Sequence, residues 1–263
     1  MGKRINKIML IVPPLTRDKD FSAKVSRGTD FFPLGMAYIA ATLEKTGLYK
    51  LKILDSLKGK DLQEGIVIDN GDSIRYGLTD NELEYEIKKF SPDVIGVSCL
   101  FSGAQWDAAN VCSIIKKISS EIFTIMGGAH AGNMAQELLH LCKEIDYVIV
   151  GEAENAFVQI LDAIDKNEDV SQIDGIGYRE NETVRLNKKT EYVRNLDSIP
   201  FPAYHLFDMQ IYLNDADSHG FYRYPPYTQM ITSRGCPCKC TFCALGSHWG
   251  PKQRLRSASN ILD

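Results

Sequence analysis

Short apolar runs alternate with amphipathic segments along the first 165 residues of the chain. Most of these runs are continuous, which is typical of strands that are covered on both faces of a parallel sheet. The run Leu51–Leu54 is interrupted by Lys52 and is therefore expected nearer the sheet edge. The predicted strands are Ile8–Val12, Leu51–Leu54, Val94–Ser98, Phe123–Met126 and Tyr147–Val150.

Apolar residues recur at helical spacing between and after these runs. The predicted helices are Leu34–Lys45, Asn81–Phe90, Trp106–Ile118, Met134–Cys142 and Ala156–Ile164. Asp80 is the predicted N-cap of the second helix, with Glu82 and Glu84 in its first turn. Strands that alternate with helices in this way predict an α/β domain over residues 1–165, with a Rossmann-like, five-stranded parallel sheet.

The pattern changes after this domain. Gly177–Leu186 has two short extended runs around a polar turn and predicts a β-hairpin, and the proline-rich Leu196–Pro202 predicts a linker, so that hairpin and linker fill residues 166–222. Gln229–Ser233 is predicted as a strand that leads into a cysteine-rich loop. Lys58–Thr79, with four glycines, breaks the periodicity and predicts an inserted loop, either a cover over a ligand or a surface excursion.

The composition is that of an ordinary globular chain, with 263 residues, 44% hydrophobic and 24% charged, enough for one large domain or two modest ones. A net charge of −4 argues against nucleic acid and anionic membranes as partners. The apolar run Ile8–Val12 is too short for a signal peptide and ends at a proline pair, and no apolar stretch is long enough to span a bilayer. A cytoplasmic location is expected.

Four of the seven cysteines lie close together, and we call Cys236–Cys243 the cysteine loop. Cys236, Cys240 and Cys243 have the spacing C-x3-C-x2-C, which can hold three irons of a 4Fe–4S cube and leave the fourth iron open to a small molecule. Cys238 does not fit this spacing and is expected to be an exposed thiol. The other three cysteines lie in apolar contexts and are expected in the core: Cys99, Cys112 and Cys142.

Two other interpretations of the cysteine loop are less favoured. A zinc knuckle with His248 as a further donor is one, but structural zinc sites usually draw on two ligand pairs separated by a longer loop. A disulfide framework is the other, and reduced thiols are expected in the cytosol.

Ile231–Pro237 followed by Cys240-Thr-Phe-Cys243 resembles the cluster loop of radical S-adenosylmethionine enzymes. The resemblance implies that the open iron binds S-adenosylmethionine, that the loop follows the first strand of a (β/α) barrel, and that Phe242 packs against the cluster. Complete barrels of this kind run to roughly 200 residues or more. We therefore expect residues 223–263 to be the truncated start of such a barrel.

Further segments resemble the branch of these enzymes that has an N-terminal cobalamin-binding domain. They are Phe32–Leu43, Pro92–Ser98, Gly127–His130, Val150–Glu154 and Leu196–Pro202. The resemblance implies that cobalamin lies at the carboxyl ends of the strands, where open α/β sheets bind their ligands. The expected cobalamin-binding residues are Pro14, Leu34, Gly35, Gly96, Ser98, Gly127, Gly128, His130, Gly151 and Glu152.

The sequence departs from many cobalamin proteins after the first strand, where they carry Asp-x-His-x-x-Gly with a histidine that ligates cobalt from below. No histidine lies between Pro13 and Phe31, so the lower face of cobalt is expected to lack an imidazole from this loop. His130 is the nearest alternative ligand. The change Gly128→Val is expected to block the slot for the nucleotide tail of cobalamin and leave the fold intact.

Together the resemblances imply a cobalamin-dependent radical S-adenosylmethionine enzyme, most often a methyltransferase that acts on an unactivated carbon. The implied cofactors are a 4Fe–4S cluster, S-adenosylmethionine and cobalamin, and the implied partners are a small-molecule substrate and an electron donor such as flavodoxin or ferredoxin. Two alternatives stay open. The sheet domain is a docking module without cobalamin, or the chain as it stands is a catalytically inactive cobalamin-binding module.

Overall fold

The computed structural model describes residues 4–19, 32–57, 66–68, 71–213 and 228–262. Apolar, β-branched segments form the strands of its central sheet, and shorter strands lie outside that sheet. The strands are β1 (Lys7–Val12), β2 (Leu15–Asp18), β3 (Lys50–Asp55), β4 (Ile66–Ile68), β5 (Ser73–Tyr76), β6 (Val94–Ser98), β7 (Phe123–Gly127), β8 (Tyr147–Ile149), β9 (Ile176–Glu180), β10 (Thr183–Leu186), β11 (Ser233–Arg234) and β12 (Arg254–Leu255).

Helices follow most strands of the central sheet. The α-helices are α1 (Leu34–Thr46), α2 (Asp80–Phe90), α3 (Gln105–Ile118), α4 (Ala129–Asn133), α5 (Ala135–Leu141), α6 (Glu154–Lys166), α7 (Met209–Leu213), α8 (Leu245–Trp249) and α9 (Ala258–Leu262). Short 3-10 helices occupy Ser102–Ala104, Leu196–Ser198 and Tyr204–Leu206. None of the described helices is both long and apolar enough to cross a membrane.

The central sheet has the strand order β10-β9-β8-β7-β6-β1-β3. Five of these strands, from β3 to β8, pair in parallel and correspond to the five predicted strands, with β3 at the edge as expected. The predicted hairpin is present as β9 and β10, but it pairs antiparallel with β8 and extends the sheet. The prediction of five strands is therefore wrong in number, because the hairpin belongs to the sheet.

The two faces of the sheet are covered by different helices, as the continuous apolar runs require. In β1, Ile8 and Leu10 face α1 and α6, whereas Met9 and Ile11 face α2, α3 and α5. All four side chains are buried. The fold is thus an α/β fold with a mostly parallel central sheet, and its predicted helices lie on both faces.

Gly96 in β6 has a packing role that the sequence does not reveal. A Cβ atom at this position would lie 2.7 Å from Leu10 Cδ2 and 3.0 Å from Phe157 Cε2, and both side chains are buried. The missing side chain therefore lets the aromatic ring of α6 pack directly on the sheet. The proposed contact of Gly96 with cobalamin stays a prediction.

Helix α2 begins one residue earlier than predicted. Thr79 is its N-cap: Thr79 Oγ1 accepts from the Glu82 amide, and the Glu82 carboxylate accepts from the Thr79 amide at 2.8 Å. This is a capping box, so the prediction of Asp80 as N-cap is wrong. Asp80 instead pairs with Arg75 at 2.8 Å. The predicted helix Met134–Cys142 is one residue shorter at each end, as α5, and the separate short helix α4 precedes it.

The segment predicted as an inserted loop contains two strands. Residues 58–65 and 69–70 lie outside the described part, but β4 and β5 pair with each other, and β5 pairs with β2. These three strands form a separate antiparallel sheet directly after β1. The inserted segment therefore packs beside the carboxyl end of the first strand instead of forming a simple loop.

The predicted barrel strand Gln229–Ser233 is not a strand over most of its length. Only Ser233 and Arg234 form β11, and they pair antiparallel with β12. Strands of a (β/α) barrel are parallel, so the described residues do not show the predicted start of a barrel. The predicted domain boundary at residue 222 falls outside the described part of the chain, as do residues 222–227.

We predict that Gly96→Ala lowers the free energy of unfolding by about 1–3 kcal/mol, since the new methyl group overpacks the space below Phe157. Urea denaturation followed by circular dichroism measures this. Gly35→Ala is the matched control, because a Cβ at this exposed first-turn position of α1 meets no atom within 4 Å. Equal stability of the Gly96→Ala and Gly35→Ala proteins would contradict the packing role of Gly96.

Candidate functional site

The topology of the sheet creates a crevice at the carboxyl ends of β1 and β6. β1 lies between β3 and β6. The chain therefore continues from β1 to β3 on one side and later adds β6 on the other side. Connections that diverge from such a switch point leave a gap above the strand ends, which is where ligands of open α/β sheets bind. Pro14 follows β1 and is buried, and Ser98 ends β6 half-buried.

The loop after β1 is held by the start of α3. Asp107 is a buried carboxylate that accepts from the Thr16 amide at 2.8 Å and from Thr16 Oγ1 at 2.6 Å. Arg17 Nη1 donates to the Gly103 carbonyl at 2.9 Å. These bonds tie β2 to the start of α3. This segment belongs to the loop that is predicted to supply no imidazole to cobalt.

Beyond β6 the chain exposes three large apolar side chains, which we call the apolar edge patch: Leu100, Phe101 and Trp106. Their exposed fractions are 49%, 61% and 66%. Gly127 at the end of β7 lies opposite Ser98, and a Cβ there would meet no atom within 4 Å. An apolar patch beside open space at a strand end is suited to a broad apolar ligand.

Gly128 is required by the backbone. Its φ is +118°, and a Cβ atom would lie 2.6 Å from the Cys99 carbonyl oxygen. A side chain at this position strains the backbone and moves the chain after β6. The expectation that Gly128→Val blocks a slot and leaves the fold intact is therefore wrong, and Gly127 is the position where a side chain enters open space.

His130 in α4 is held by hydrogen bonds at both ring nitrogens. Its Nδ1 lies 3.1 Å from Ser102 Oγ, and its Nε2 lies 2.6 Å from Gln105 Oε1. Burial lowers the pKa of the imidazole, which favours the neutral ring. His130 is thus a neutral side chain that ties α4 to the chain after β6, and neither nitrogen is free to ligate cobalt.

The other residues expected at the cobalamin site are dispersed. Leu34 is buried with Phe32 and Tyr38 beneath the linker, whereas Gly35 is exposed. Gly151 follows β8 with φ +79°, and a Cβ there would lie 2.9 Å from the His248 carbonyl oxygen. The chain that carries the cysteine loop therefore packs directly on Gly151.

Glu152 has an unexpected set of partners. Its Oε1 accepts from Arg254 Nη1 at 2.7 Å and from Arg234 Nη1 at 3.4 Å, and its Oε2 accepts from the Val193 amide at 2.8 Å. Glu154 Oε1 accepts from Arg234 Nη2 at 2.5 Å. We call Glu152, Glu154, Arg234 and Arg254 the buried ion cluster. Glu152 thus binds the chain around the cysteine loop, although its predicted contact with cobalamin stays a prediction.

Arg234 is enclosed by aromatic rings as well as by carboxylates. Its guanidinium carbon lies 4.6 Å from the centre of the Trp249 ring and 5.4 Å from that of Tyr38, and the residue is 4% exposed. Burial opposes its charge, but Glu154 and Glu152 more than offset this and raise the pKa of the guanidinium. The sequence contained a signal for this pairing, since Glu152 and Glu154 leave the sheet together, but nothing local identified their partner.

The cysteine loop itself lies at the surface. Cys236 is half-buried, whereas Cys238, Cys240 and Cys243 are exposed free thiols, so the expectation for Cys238 is confirmed. Phe242 is 91% exposed. No three potential metal ligands come together within the described residues. The donor set therefore has the right chemistry for a cluster, and the described positions do not form a finished coordination site.

The helix after the cysteine loop places it beside the sheet edge. α8 packs against α4, and Ser247 Oγ donates to Asn133 Oδ1 at 2.7 Å. α4 begins directly after Gly128 at the end of β7. The helix that follows the cysteine loop and the chain that bears the apolar edge patch thus both contact the same short helix, which is the central geometric feature of the site.

Residues 23–161, more than half of the chain, match the family model described as "B12 binding domain". The chain therefore belongs to the B12-binding domain family. The match covers four of the five parallel strands, β3, β6, β7 and β8, together with the apolar edge patch, whereas β1 and Pro14 precede it.

Two curated relatives are similar over 99% of the chain. One is the uncharacterized methyltransferase PH0819 of Pyrococcus horikoshii, 32% identical, and the other is the cytidylyl-2-hydroxyethylphosphonate methyltransferase of Streptomyces wedmorensis, 31% identical. The chain spans about half the length of each, 50% and 52%. A solved structure of the cobalamin-dependent S-adenosylmethionine radical enzyme OxsB, with aqua-cobalamin and S-adenosylmethionine bound, covers 98% of the chain and matches over 31% of its own length, with a TM-score of 0.70 and 17% identity. This likeness shows the fold.

We predict that native alkylation at pH 8 separates the seven thiols into two groups. Burial, with a smaller contribution from Asp107, raises the pKa of Cys99 to about 12, so about one molecule in 10,000 carries that thiolate at pH 8. Burial also raises the pKa of Cys112 and Cys142. Iodoacetamide followed by peptide mass spectrometry should label Cys240 and Cys243 rapidly and the three core cysteines only after unfolding. Labelling of Cys99 as fast as Cys240 would contradict this.

Proposed function

We propose that this chain is part of a cobalamin-dependent radical S-adenosylmethionine methyltransferase. One observation carries the proposal: α4 is tied through His130 to the chain that bears the apolar edge patch, and it packs against α8, which directly follows a loop with three suitably spaced free thiols. Membership of the B12-binding domain family and the methyltransferase relatives support it. Because the chain spans only half of those relatives, the activity is proposed for the whole protein.

The residues at the strand ends fit cobalamin in three respects. The apolar edge patch offers a surface of the kind that a broad corrin ring requires, and Gly127 leaves open space beside it. Ser98 provides a hydroxyl at the same edge. We propose that Leu100, Phe101 and Trp106 contact the corrin and that its nucleotide tail passes Ser98 and Gly127.

The lower face of cobalt receives no imidazole in this proposal. The segment after β1 has no histidine, and its Thr16 is tied to α3 by Asp107. His130 has both ring nitrogens in hydrogen bonds with Ser102 and Gln105, so freeing it costs two hydrogen bonds. The proposed cobalamin is therefore bound through its periphery and tail, without a protein ligand from these positions.

The three thiols of Cys236, Cys240 and Cys243 would hold the 4Fe–4S cluster. They are free, and at least two of them are exposed, so they are available to iron. When bound, these cofactors supply radical cleavage of S-adenosylmethionine and a transferable methyl group. The chain contributes position: α4 and α8 bring the two binding surfaces together. We further propose that the whole protein takes a small-molecule substrate and receives electrons from a flavodoxin or ferredoxin.

We predict that the chain binds one equivalent of hydroxocobalamin and that Gly127→Leu weakens this binding at least about tenfold, about 1.4 kcal/mol. The leucine side chain would occupy the open space at the end of β7. Equilibrium dialysis with absorbance detection measures the affinity. Ser120→Leu is the matched control, because Ser120 is exposed in the turn before the same strand, at the opposite edge of the sheet.

The outcome separates the alternatives. A wild-type chain that takes up no cobalamin would favour the docking-module interpretation of the apolar edge patch. Electron paramagnetic resonance of the cob(II)alamin form tests the ligation in the same samples. A nitrogen triplet splitting that disappears in His130→Ala would overturn the proposal that cobalt lacks a protein imidazole.

We predict that anaerobic reconstitution of the whole protein yields a 4Fe–4S cluster that is lost in Cys236→Ala, Cys240→Ala and Cys243→Ala. Cys238→Ala is the matched control from the same loop and should retain the full iron content, since its spacing does not fit the cube. Iron and sulfide analysis with absorbance near the charge-transfer bands measures this. Loss of the cluster in Cys238→Ala, with retention in Cys240→Ala, would show that the ligand assignment is wrong.

A further inference from the structure

The chain that carries the cysteine loop is fastened at both of its ends to one carboxylate. Arg234 lies two residues before Cys236, and Arg254 lies after α8. Both arginines donate to Glu152 Oε1, while β11 and β12 pair through these same two residues. The segment between them is therefore closed into a loop whose base rests on Glu152, three residues after the end of β8.

Few apolar side chains of this segment are buried, since Phe242 is 91% and Leu245 is 46% exposed. Its other contacts with the rest of the chain include backbone packing of the His248 carbonyl on Gly151 and of Gly250 on the Tyr192 ring, and an exposed hydrogen bond from Ser247 to Asn133. The buried ion cluster adds charged contacts that are almost fully removed from water. These charged contacts are the ones whose loss is expected to matter most for where the cysteine loop lies.

The charges of the cluster depend on one another. The side chains of Glu152 and Arg234 are each 3% exposed, and that of Glu154 is 7% exposed. Removing one partner leaves an uncompensated buried charge, which is far costlier than losing a surface pair. The planar guanidinium also stacks on Trp249 and bridges both carboxylates, which an ammonium group cannot do in the same way.

We propose that Glu152 and Glu154 are positioning residues that seat the cysteine loop at the carboxyl edge of the sheet, through Arg234 and Arg254. This inference rests on the proposed function in one respect: it makes the buried ion cluster the element that sets the distance between the 4Fe–4S cluster and cobalamin. The Gly-Glu-Ala-Glu segment after β8 then sets the distance between the two cofactors without contacting either of them.

The first measurement uses the chain without cofactors. Hydrogen exchange of the Cys236 and Arg256 amides, which donate to the Gly250 and Thr232 carbonyls, reports whether the loop is seated. Glu154→Gln and Arg234→Lys should each accelerate this exchange at least about tenfold. Glu154→Gln removes one charge of a buried pair, and Arg234→Lys keeps the charge but loses the planar group that bridges both carboxylates. Arg179→Lys is the matched control: Arg179 donates to the Leu139, Cys142 and Ile145 carbonyls, far from the cysteine loop in the chain.

Arg254→Gln is a milder variant that keeps the Arg234–Glu154 pair, and it keeps the inference testable if Arg234→Lys does not fold. It removes the bonds from Arg254 to Glu152, Val193 and Trp249. Exchange at Arg256 should rise more than exchange in the central sheet. Unchanged exchange in folded Glu154→Gln and folded Arg254→Gln would overturn the seating role.

The second measurement uses the whole protein loaded with both cofactors. The spin coupling between the reduced cluster and cob(II)alamin depends on their distance, so it should weaken in Glu154→Gln while cobalt and iron contents stay at wild-type levels. A purely stabilising residue would leave that coupling unchanged, as Arg179→Lys should. Unchanged coupling in Glu154→Gln would overturn the inference. If the wild type binds neither cofactor but Glu154→Gln still frees the loop, the proposed function fails and the seating role stands.

Discussion

A single buried guanidinium joins the chain around the cysteine loop to the central sheet. Arg234 lies between Glu152 and Glu154 and between the rings of Trp249 and Tyr38, almost fully removed from water. A charge in such surroundings is tolerated only when each of its polar contacts is satisfied. The chain near the cysteine loop therefore cannot leave the sheet without exposing three charges to an incomplete environment. The buried charges therefore fix the position of the cysteine loop relative to the edge of the sheet.

The sheet edge has its own constraint, which comes from the backbone. Gly128 must be glycine because the Cys99 carbonyl occupies the position of its Cβ, and this contact turns the chain directly into α4. His130 and its two hydrogen-bond partners then hold α4 against the residues after β6. The apolar edge patch belongs to the same chain after β6 and remains exposed. The surface that we assign to the corrin thus lies beside one tightly packed turn.

Much of the fold could be predicted from the sequence because its signals are local. The five parallel strands, the hairpin and the buried cysteines all follow from runs of neighbouring residues. The capping box Thr79-x-x-Glu82 is a local signal of the same kind, although the prediction of Asp80 as N-cap missed it. The pairing of the hairpin with β8 was not readable, since it joins Ile149 to Ile176 across a helix. Glu152 illustrates the limit for the site. Its motif was recognised, but its partners lie 82 and 102 residues away in sequence, and no local pattern carries that information.

The two outer strands of the central sheet have a consequence for how copies of this protein behave beside one another. Unpaired strand edges can associate between molecules, and charged side chains on an edge oppose that association. β3 presents Lys50 and Lys52, of which Lys52 pairs with Glu86, and β10 presents Arg185, which pairs with Glu180 at 3.0 Å. Both outer strands therefore carry charged side chains, which lose hydration when another strand is added. The extension of the sheet to seven strands thus ends at β10 in a strand that discourages an eighth from another molecule.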